Sequence, residues 1–398
     1  MKKIIHIPAS KSISNRLLIL QYLFPEIRLK NLSTAKDTLV LQEALQSLKK
    51  STTNKTLFLN IGHAGTAMRF LTALISILTE KKVILDGSSR MQQRPIGTLV
   101  DVLQQMGANI KYLKKKGYPP LLIEGSNLKG NKIEISADIS SQFITALLLI
   151  APKLSDGLEI ILKGKTVSLP YIKMTINILQ KIGVQASLDE NENKIHISSL
   201  NNVDEQIINI EGDWSSASYF YGALALLRNR EIILKNFNKK SWQGDQKVAD
   251  YFLQFGIKTE YLENEKIKLI PDKHYKIPKF LNFDLINSPD LAQTLAVTCL
   301  GMGINCHLSG LQTLRIKETD RISALAIEMK KLGAKTKTTD NSFEITQAIV
   351  QQKNVKINTY NDHRMAMSFA ILQKKYPQIK ILDKEVVVKS FPGFWELF

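Results

Sequence analysis

A sixfold internal repeat constrains this chain more than any other feature. Six segments open on a small or polar cluster, run into an apolar helix-like stretch and lead on to a β-rich run. They begin at Ser10 (SKSISNRLLILQYL), His63 (HAGTAMRFLTALISIL), Ser140 (SSQFITALLLIA), Ser215 (SSASYFYGALALL), Ser288 (SPDLAQTLAVTCL) and Asn361 (NDHRMAMSFAIL), at spacings of 53, 77, 75, 73 and 73 residues. A second marker runs out of phase: helix-like stretches closed by Gly107, Gly183, Gly256 and Gly333, spaced 76, 73 and 77. Glycine there suits a helix C′ residue with positive φ, and a strand–turn–strand pattern follows each one. The unit is therefore strand–helix–strand–helix–strand–strand, expected six times, with the hairpin of the first copy (LKKSTTNKTLFLNI, from Leu48) trimmed. A mixed α/β unit excludes a solenoid of single helices. A chain of 398 residues is too long for one core, so three units in each of two lobes are expected.

Composition bears on partners. At 44% hydrophobic and 23% charged residues the chain is composed like a globular protein, and its net charge of +18 favours anionic partners. Only ten of the 54 basic residues are Arg, and the Lys surplus is spread along the chain as on a solvated surface, so nucleic acid is not an expected partner. Cys299 and Cys306 lie in an apolar stretch and form no disulfide framework. No Cys-x-x-Cys or His-x-x-x-His spacing points to a metal. The best apolar run starts at Phe143 and stops at Pro152, too short to span a membrane, and the basic N-terminal MKKIIHIPASK is too short in apolar residues for a signal peptide. A cytoplasmic location is expected.

Seven of the ten arginines crowd the polar motifs: Arg16, Arg69, Arg90, Arg94, Arg315, Arg321 and Arg364. Capping accounts for Ser215 and Ser216, and Ser218 reads as structural. Bases at helix starts oppose the helix dipole unless an anion is bound, which marks these places as candidate anion sites. SKSISNR, with Lys11, Ser12, Ser14 and Arg16, fits an anion cradle. RMQQRP frames a loop with Arg90 and Arg94, KETDR carries Lys317, Glu318 and Arg321, and YNDHRMAM sets Asp362 beside His363 and Arg364. GKT at Gly164 is not a P-loop, since Glu159 stands where glycine is required and the triplet ends a strand.

In order, the motifs SKSxSNR at Ser10, AGTAMR at Ala64, RMxxRPIG at Arg90, SSQF at Ser140, PYI at Pro170, EGDxSSASYF at Glu211, KETDR at Lys317 and NDHRMAM at Asn361 resemble the 3-phosphoshikimate 1-carboxyvinyltransferase (5-enolpyruvylshikimate-3-phosphate synthase) family. The resemblance runs from Ser10 to Phe394. It implies the enolpyruvyl transferase fold, an inside-out α/β barrel of two lobes with three βαβαββ units each. The chain would cross between lobes near Ala9–Ser10 and Ile210–Glu211, giving a first lobe of 10–210 and a discontinuous second lobe of 1–9 plus 211–398. The implied reaction moves the carboxyvinyl group of phosphoenolpyruvate to the 5-hydroxyl of shikimate 3-phosphate through a tetrahedral ketal, without metal or organic cofactor, in an enzyme expected to be monomeric.

By the same resemblance, Ser140, Ser141, Ser168 and Lys317 hold the shikimate phosphate, and Ser12, Arg16 and Tyr171 hold the ring and its carboxylate. Gly65, Arg94, Gln142 and Lys389 take the phosphate of phosphoenolpyruvate, with Gln142 also at the acceptor. Arg321 and Arg364 suit its carboxylate, because guanidinium forks bind bidentately. Asp290 is the candidate base, also in contact with the acceptor, and Glu318 and Lys11 are the candidates for moving the methyl proton, Lys11 touching both substrates. Four departures stand out: His63 for Asn, Phe70 for Pro, Leu169 for Lys and Thr313 for Asn. The resemblance further implies competitive inhibition by glyphosate, and cations and helix N-termini placed on both lobes predict an open cleft that closes on shikimate 3-phosphate. Two rivals are weaker. The related UDP-N-acetylglucosamine carboxyvinyltransferases carry a Cys in the loop that here reads SSRMQQRP, and a basic nucleic-acid-binding module would need stripes of charge instead of six separated clusters.

Overall fold

The computed structural model describes residues 3–51, 55–129, 132–138, 140–164, 166–352 and 354–398. The chain forms two compact units, Lys11–Ile210 and the discontinuous Met1–Ser10 with Glu211–Phe398, so Ser10 falls with the second unit. In chain order the elements begin with β1 (Lys3–His6), α1 (Lys11–Leu23), β2 (Ile27–Lys30) and α2 (Lys36–Lys50). Next come β3 (Leu57–Asn60), α3 (Gly65–Ser76), β4 (Lys82–Asp86), α4 (Gly97–Gln105) and the hairpin β5 (Asn109–Tyr112) with β6 (Leu121–Glu124). The third repeat is β7 (Lys132–Ser136), α5 (Ser141–Ile150), β8 (Leu158–Lys163), α6 (Leu169–Lys181), β9 (Ala186–Asp189) and β10 (Lys194–Ile197). The fourth is β11 (Gln206–Asn209), α7 (Trp214–Leu227), β12 (Ile232–Lys235), α8 (Val248–Leu253), β13 (Ile257–Leu262) and β14 (Lys266–Pro271). The fifth is β15 (Phe280–Asp284), α9 (Ala292–Met302), β16 (Asn305–Ser309), α10 (Arg321–Lys331), β17 (Lys335–Thr338) and β18 (Phe343–Gln347). The chain closes with β19 (Lys356–Ile357), α11 (His363–Lys375), β20 (Lys380–Ile381) and α12 (Phe394–Leu397).

Each repeat has its own sheet, and the sheets are of two sizes. Among the described residues four are four-stranded, in the orders β3-β4-β6-β5, β7-β8-β10-β9, β1-β12-β14-β13 and β15-β16-β18-β17. Two are two-stranded, β11-β2 and β19-β20. The first and sixth repeats thus have no hairpin among the described residues. The trimmed hairpin expected from Leu48 is not one: Leu48–Lys50 ends α2, Leu57–Asn60 opens the next repeat, and 52–54 lie outside the described residues. At the rejected GKT, β8 ends at Lys163; Lys165 lies outside the described residues.

The four glycine markers map onto the four hairpins. Gly107, Gly183, Gly256 and Gly333 have φ of 102°, 97°, 69° and 98° and close α4, α6, α8 and α10. At Gly107, Gly183 and Gly333 the next amide reaches back to Leu103, Leu179 and Met329, so these helices end in Schellman motifs that turn the chain into the first hairpin strand. The first and fourth repeats exchange their leading strands: β1 pairs in parallel with β12, and β11 with β2.

The two helices of a repeat differ in burial. The first is apolar and covered nearly all round, as in α3, where every residue except Thr66 is buried, and α9, buried from Ala292 to Gly301. The second keeps a wet face, as the alternating burial of α10 shows. In the segment Lys11–Ile210, α5 packs on α3 and α6, and α1 joins them. In the other unit α7, α9 and α11 pack on one another, with Tyr219, Phe220, Leu295, Phe369 and Phe394 in one core. Helices lie inside and sheets outside. The N-termini of the buried helices, where the motifs sit, therefore gather at the ends of these helix clusters. No helix among the described residues is long and apolar enough to cross a membrane.

Candidate active site

In the segment Lys11–Ile210, Lys11 opens α1 and its Nζ lies 3.2 Å from Asp37 Oδ2. Arg16, deeper on the same helix, is 3% exposed. Its Nε donates to Thr175 Oγ1 (2.9 Å), Nη1 to the Ser12 carbonyl (2.8 Å), and Nη2 to Thr145 Oγ1 and the Tyr171 carbonyl (both 3.3 Å). The rings of Phe70 and Tyr171 stand 5.7 and 5.9 Å from its Cζ. One departure from the family pattern, Phe70, is thus part of the Arg16 pocket. Burial lowers the Arg16 guanidinium to about 10, still charged at neutral pH.

Around α3 the chain leaves an amino terminus without a side-chain cap, since Ala64 precedes Gly65. Arg94 lies directly over it: a Cβ on Gly65 would fall 2.9 Å from Arg94 Cζ and closer still to Nη1. Arg94 is buried, and its Nε has no partner among the described residues. Arg69 fixes this approach by donating to the carbonyls of Gly65 (3.1 Å) and Pro95 (2.9 Å). His63 Nδ1 sits 2.9 Å from Ser88 Oγ, tying the turn before α3 to the Arg94 loop. Ser140 caps α5 through the Gln142 amide, and Gln142 Nε2 reaches Thr66 Oγ1 at 3.5 Å. Ser141 and Ser168 are buried, and Ser168 enters α6 with a left-handed φ of 56°.

The discontinuous unit builds a denser cluster. Asp290 sits in a short helical turn, Pro289–Leu291, that leads into α9. Its Oδ1 accepts from Arg321 Nη1 (2.9 Å) and lies 3.7 Å from Lys317 Nζ, and its Oδ2 accepts from Arg364 Nη2 (3.0 Å). Arg321, the first residue of α10, also donates to Glu318 Oε2 (2.9 Å) and Asp362 Oδ2 (2.7 Å). Lys389 Nζ donates to Glu318 Oε1 at 2.7 Å. Burial works to raise the Asp290 carboxyl, but Arg364, Lys317 and Arg321 together hold it well below the usual carboxylate range. Burial would lower the Arg321 guanidinium, yet Asp362, Glu318 and Asp290 raise it above the usual range.

Three features were not read from the sequence. Bases at the helix starts are not left unopposed: Asp37, Asp290, Glu318 and Asp362 are their partners within the protein. The cap of α7 is Asp213, accepting from the Ser216 amide, and not Ser215. Ser215 instead donates to Asp245 and accepts from Arg364 Nη2 at 3.3 Å. Asp37 and Asp245 stand in no motif beside their partners, so local pattern could not have found them. Thr313, where the family carries Asn, is buried with its hydroxyl unpartnered among the described residues.

Repeated βαβαββ units whose buried helices begin in arginine, lysine and carboxylate clusters define an α/β protein built to handle small multiply charged anions. The EPSP synthase family (3-phosphoshikimate 1-carboxyvinyltransferase) matches residues 1–398. A 3-phosphoshikimate 1-carboxyvinyltransferase from Bacteroides fragilis is 42% identical over 404 residues, covering 100% of this chain and 94% of the relative. One from Shewanella amazonensis is 37% identical, covering 99% and 95%. The fold is that of an EPSP synthase from Acinetobacter baumannii, with a TM-score of 0.73 at 22% identity, covering 100% of this chain and 94% of that one. The chain belongs to the EPSP synthase family.

Proposed function

We propose that this chain transfers the carboxyvinyl group of phosphoenolpyruvate to the 5-hydroxyl of shikimate 3-phosphate, releasing phosphate, in the shikimate pathway to aromatic amino acids. The observation that carries the site assignment is Asp290, a buried carboxylate bracketed by Arg321, Arg364 and Lys317. A carboxylate held so low is a poor base. All three of its partners, Arg321, Arg364 and Lys317, are side chains assigned to the anionic groups of the substrates. As those anions draw the cations off, the Asp290 carboxyl rises and its proton affinity grows where the 5-hydroxyl must be deprotonated. Binding both substrates thus switches the base on.

Arg321 is gripped by Asp362 as well, so it keeps its place during this exchange and offers a fixed charge to the donor carboxylate. Lys389 and Lys11 carry the donor phosphate with Arg94, the open amino terminus of α3 at Gly65, and Gln142. Ser140, Ser141, Gln142, Ser168 and Lys317 take the acceptor phosphate, and Asp290 meets the acceptor at its hydroxyl. Ser12, Tyr171, Lys11 and the remaining Nη1 proton of Arg16 take the ring and its carboxylate. Glu318 and Lys11 move the proton to and from the donor's methylene carbon. A pathway enzyme with soluble phosphate-ester substrates works in the cytoplasm, and we assign it there as a monomer. The test is phosphate release with both substrates against each alone. Release requiring both is expected. Release from phosphoenolpyruvate alone, or none with both, would sink the reading.

A further inference from the structure

We infer that Asp245 is a positioning residue that, through the hydroxyl of Ser215, holds the Arg364 guanidinium in line with Asp290. This rests on the reading above that Arg364 takes the donor carboxylate. Ser215 Oγ donates to Asp245 Oδ2, which directs its lone pairs away from the carboxylate. One of them accepts from Arg364 Nη2 at 3.3 Å, while the same nitrogen donates to Asp290 Oδ2 at 3.0 Å and Nη1 donates to the Asp290 carbonyl at 3.2 Å. Arg364 is therefore pinned from two sides. Asp290 must loosen its side to act as base, and the Ser215 side then keeps the fork from swinging.

Asp245 is itself rigidly placed. It belongs to the turn Gly244–Lys247, and the preceding Gln243 clamps that turn to the start of α7. Gln243 Oε1 accepts from the Trp214 amide (3.1 Å), and Nε2 donates to the Gly212 carbonyl (2.8 Å) and to Glu211 Oε1 (2.9 Å). Asp245 is 4% exposed, and its Oδ1 has no partner among the described residues. A bare carboxylate oxygen in such a place is costly unless the residue is held for something. Burial and the negative charge of Asp290 raise this carboxyl to about 7, against the pull of Arg364 and Ser215, with Asp213 adding to the rise. In its charged form it takes the Ser215 proton in a charge-assisted bond that a neutral amide oxygen does not match.

The test is the Michaelis constant for each substrate, measured by phosphate release, in Asp245→Asn, Ser215→Ala, Ser215→Thr, Arg364→Lys and the Asp245→Asn/Arg364→Lys double variant. Loss of one charge-assisted contact predicts a rise of about tenfold in KM for phosphoenolpyruvate for Asp245→Asn and for Ser215→Ala, with KM for shikimate 3-phosphate within about twofold. Ser215→Thr, which keeps the hydroxyl, should return the donor constant to wild type. In the Arg364→Lys background Asp245→Asn should add less than about twofold, because both changes act on one path. An Asp245→Asn enzyme with an unchanged donor constant, while Arg364→Lys raises it, overturns the role of Asp245 and leaves the site reading standing. A full effect of Asp245→Asn in the Arg364→Lys background overturns the route through Arg364, and equal rises for both substrates show a merely structural role. If Arg364→Lys leaves the donor constant unchanged, the reading of Arg364 falls and this inference with it. Should Asp245→Asn fail to fold, Ser215→Ala breaks the same path and is judged by the same criteria.

Discussion

Arg16 and Arg321 are both 2–3% exposed and both stand near the start of a helix, yet their surroundings are opposites. Arg16 rests on two threonine hydroxyls and two carbonyls, and its guanidinium is lowered; Arg321 rests on three carboxylates, and its guanidinium is raised. The contrast extends to their neighbours. In the segment Lys11–Ile210, α3 and α6 begin without a side-chain cap, and of Lys11, Arg16 and Arg94 only Lys11 is paired with a carboxylate, Asp37, among the described residues. In the discontinuous unit, α7, α10 and α11 are capped by Asp213, Asp320 and Asp362, and every assigned cation touches a carboxylate. An anion arriving at the first cluster meets charge that is only partly compensated. One arriving at the second must displace a carboxylate already in place. The first is suited to capture, the second to coupling binding with a change in base strength.

That division can be broken most sharply at Asp290. Asp290→Asn should lower kcat by roughly a thousandfold or more while the KM for shikimate 3-phosphate stays within a few-fold, since general-base contributions run to about 10²–10⁴. Ser140→Ala should do the reverse, raising that KM with little loss of kcat. Steady-state kinetics that found the two variants alike would erase the distinction between capture and coupling. On folding, Arg321→Met should cost about 3–5 kcal/mol, because it strands the buried Asp362 with Asp290 and Glu318. Arg16→Met should cost less, about 1–3 kcal/mol, because it strands only neutral acceptors. Urea unfolding of both variants tests this, and a larger loss for Arg16 would invert the comparison.

A smaller effect is expected at Gly65. A methyl group there must push Arg94 aside, so Gly65→Ala should raise the KM for phosphoenolpyruvate by roughly tenfold, the worth of one charged contact, and spare that for shikimate 3-phosphate. An unchanged donor constant would remove the α3 terminus from the donor site. The smallest effect concerns pH. Asp245 titrates near 7 when folded and near about 3.9 when unfolded, so its favourable contribution is full below about 4 and is lost as pH rises towards 7. Relative to wild type, Asp245→Asn should therefore gain stability across that window. A difference in urea midpoint that is flat from pH 4 to 7 would show that Asp245 is not buried as described.

The repeat was legible because it is written in local chemistry. Gly107, Gly183, Gly256 and Gly333 each end a helix and open a hairpin, and there are four of them because four sheets have hairpins. The expectation of six units, the first with a trimmed hairpin, came from the helix starts, which are six; counting glycines would have given the number of complete sheets. The assigned cations were equally legible, since each except Lys389, which ends the turn Lys384–Lys389, sits in a short motif near a helix start. Their partners were not. Asp37 reaches Lys11 across 26 positions, Asp362 reaches Arg321 across 41 and Asp245 reaches Ser215 across 30, and no periodicity or capping rule links such pairs. Asp362 was visible beside His363 and Arg364, but its hold on Arg321 is a property of the packed core.

The exchange of leading strands has a consequence for synthesis. Every strand that Lys11–Ile210 needs, including β11 for β2, lies within that one stretch, so it can close as soon as it has left the ribosome. The other unit cannot. Its strand β1 is made before the segment Lys11–Ile210, and its partner β12 follows more than two hundred residues later. Through all that time the nascent chain carries an unpaired strand ahead of the segment Lys11–Ile210, and an unpaired strand is open to any passing edge. Shortness protects it: four residues ending in His6 offer little to an intruder. The unit made after Lys11–Ile210 must therefore reach back for a strand made before it, and a delay in translation between the two would lengthen the exposure without altering a single contact in the finished fold.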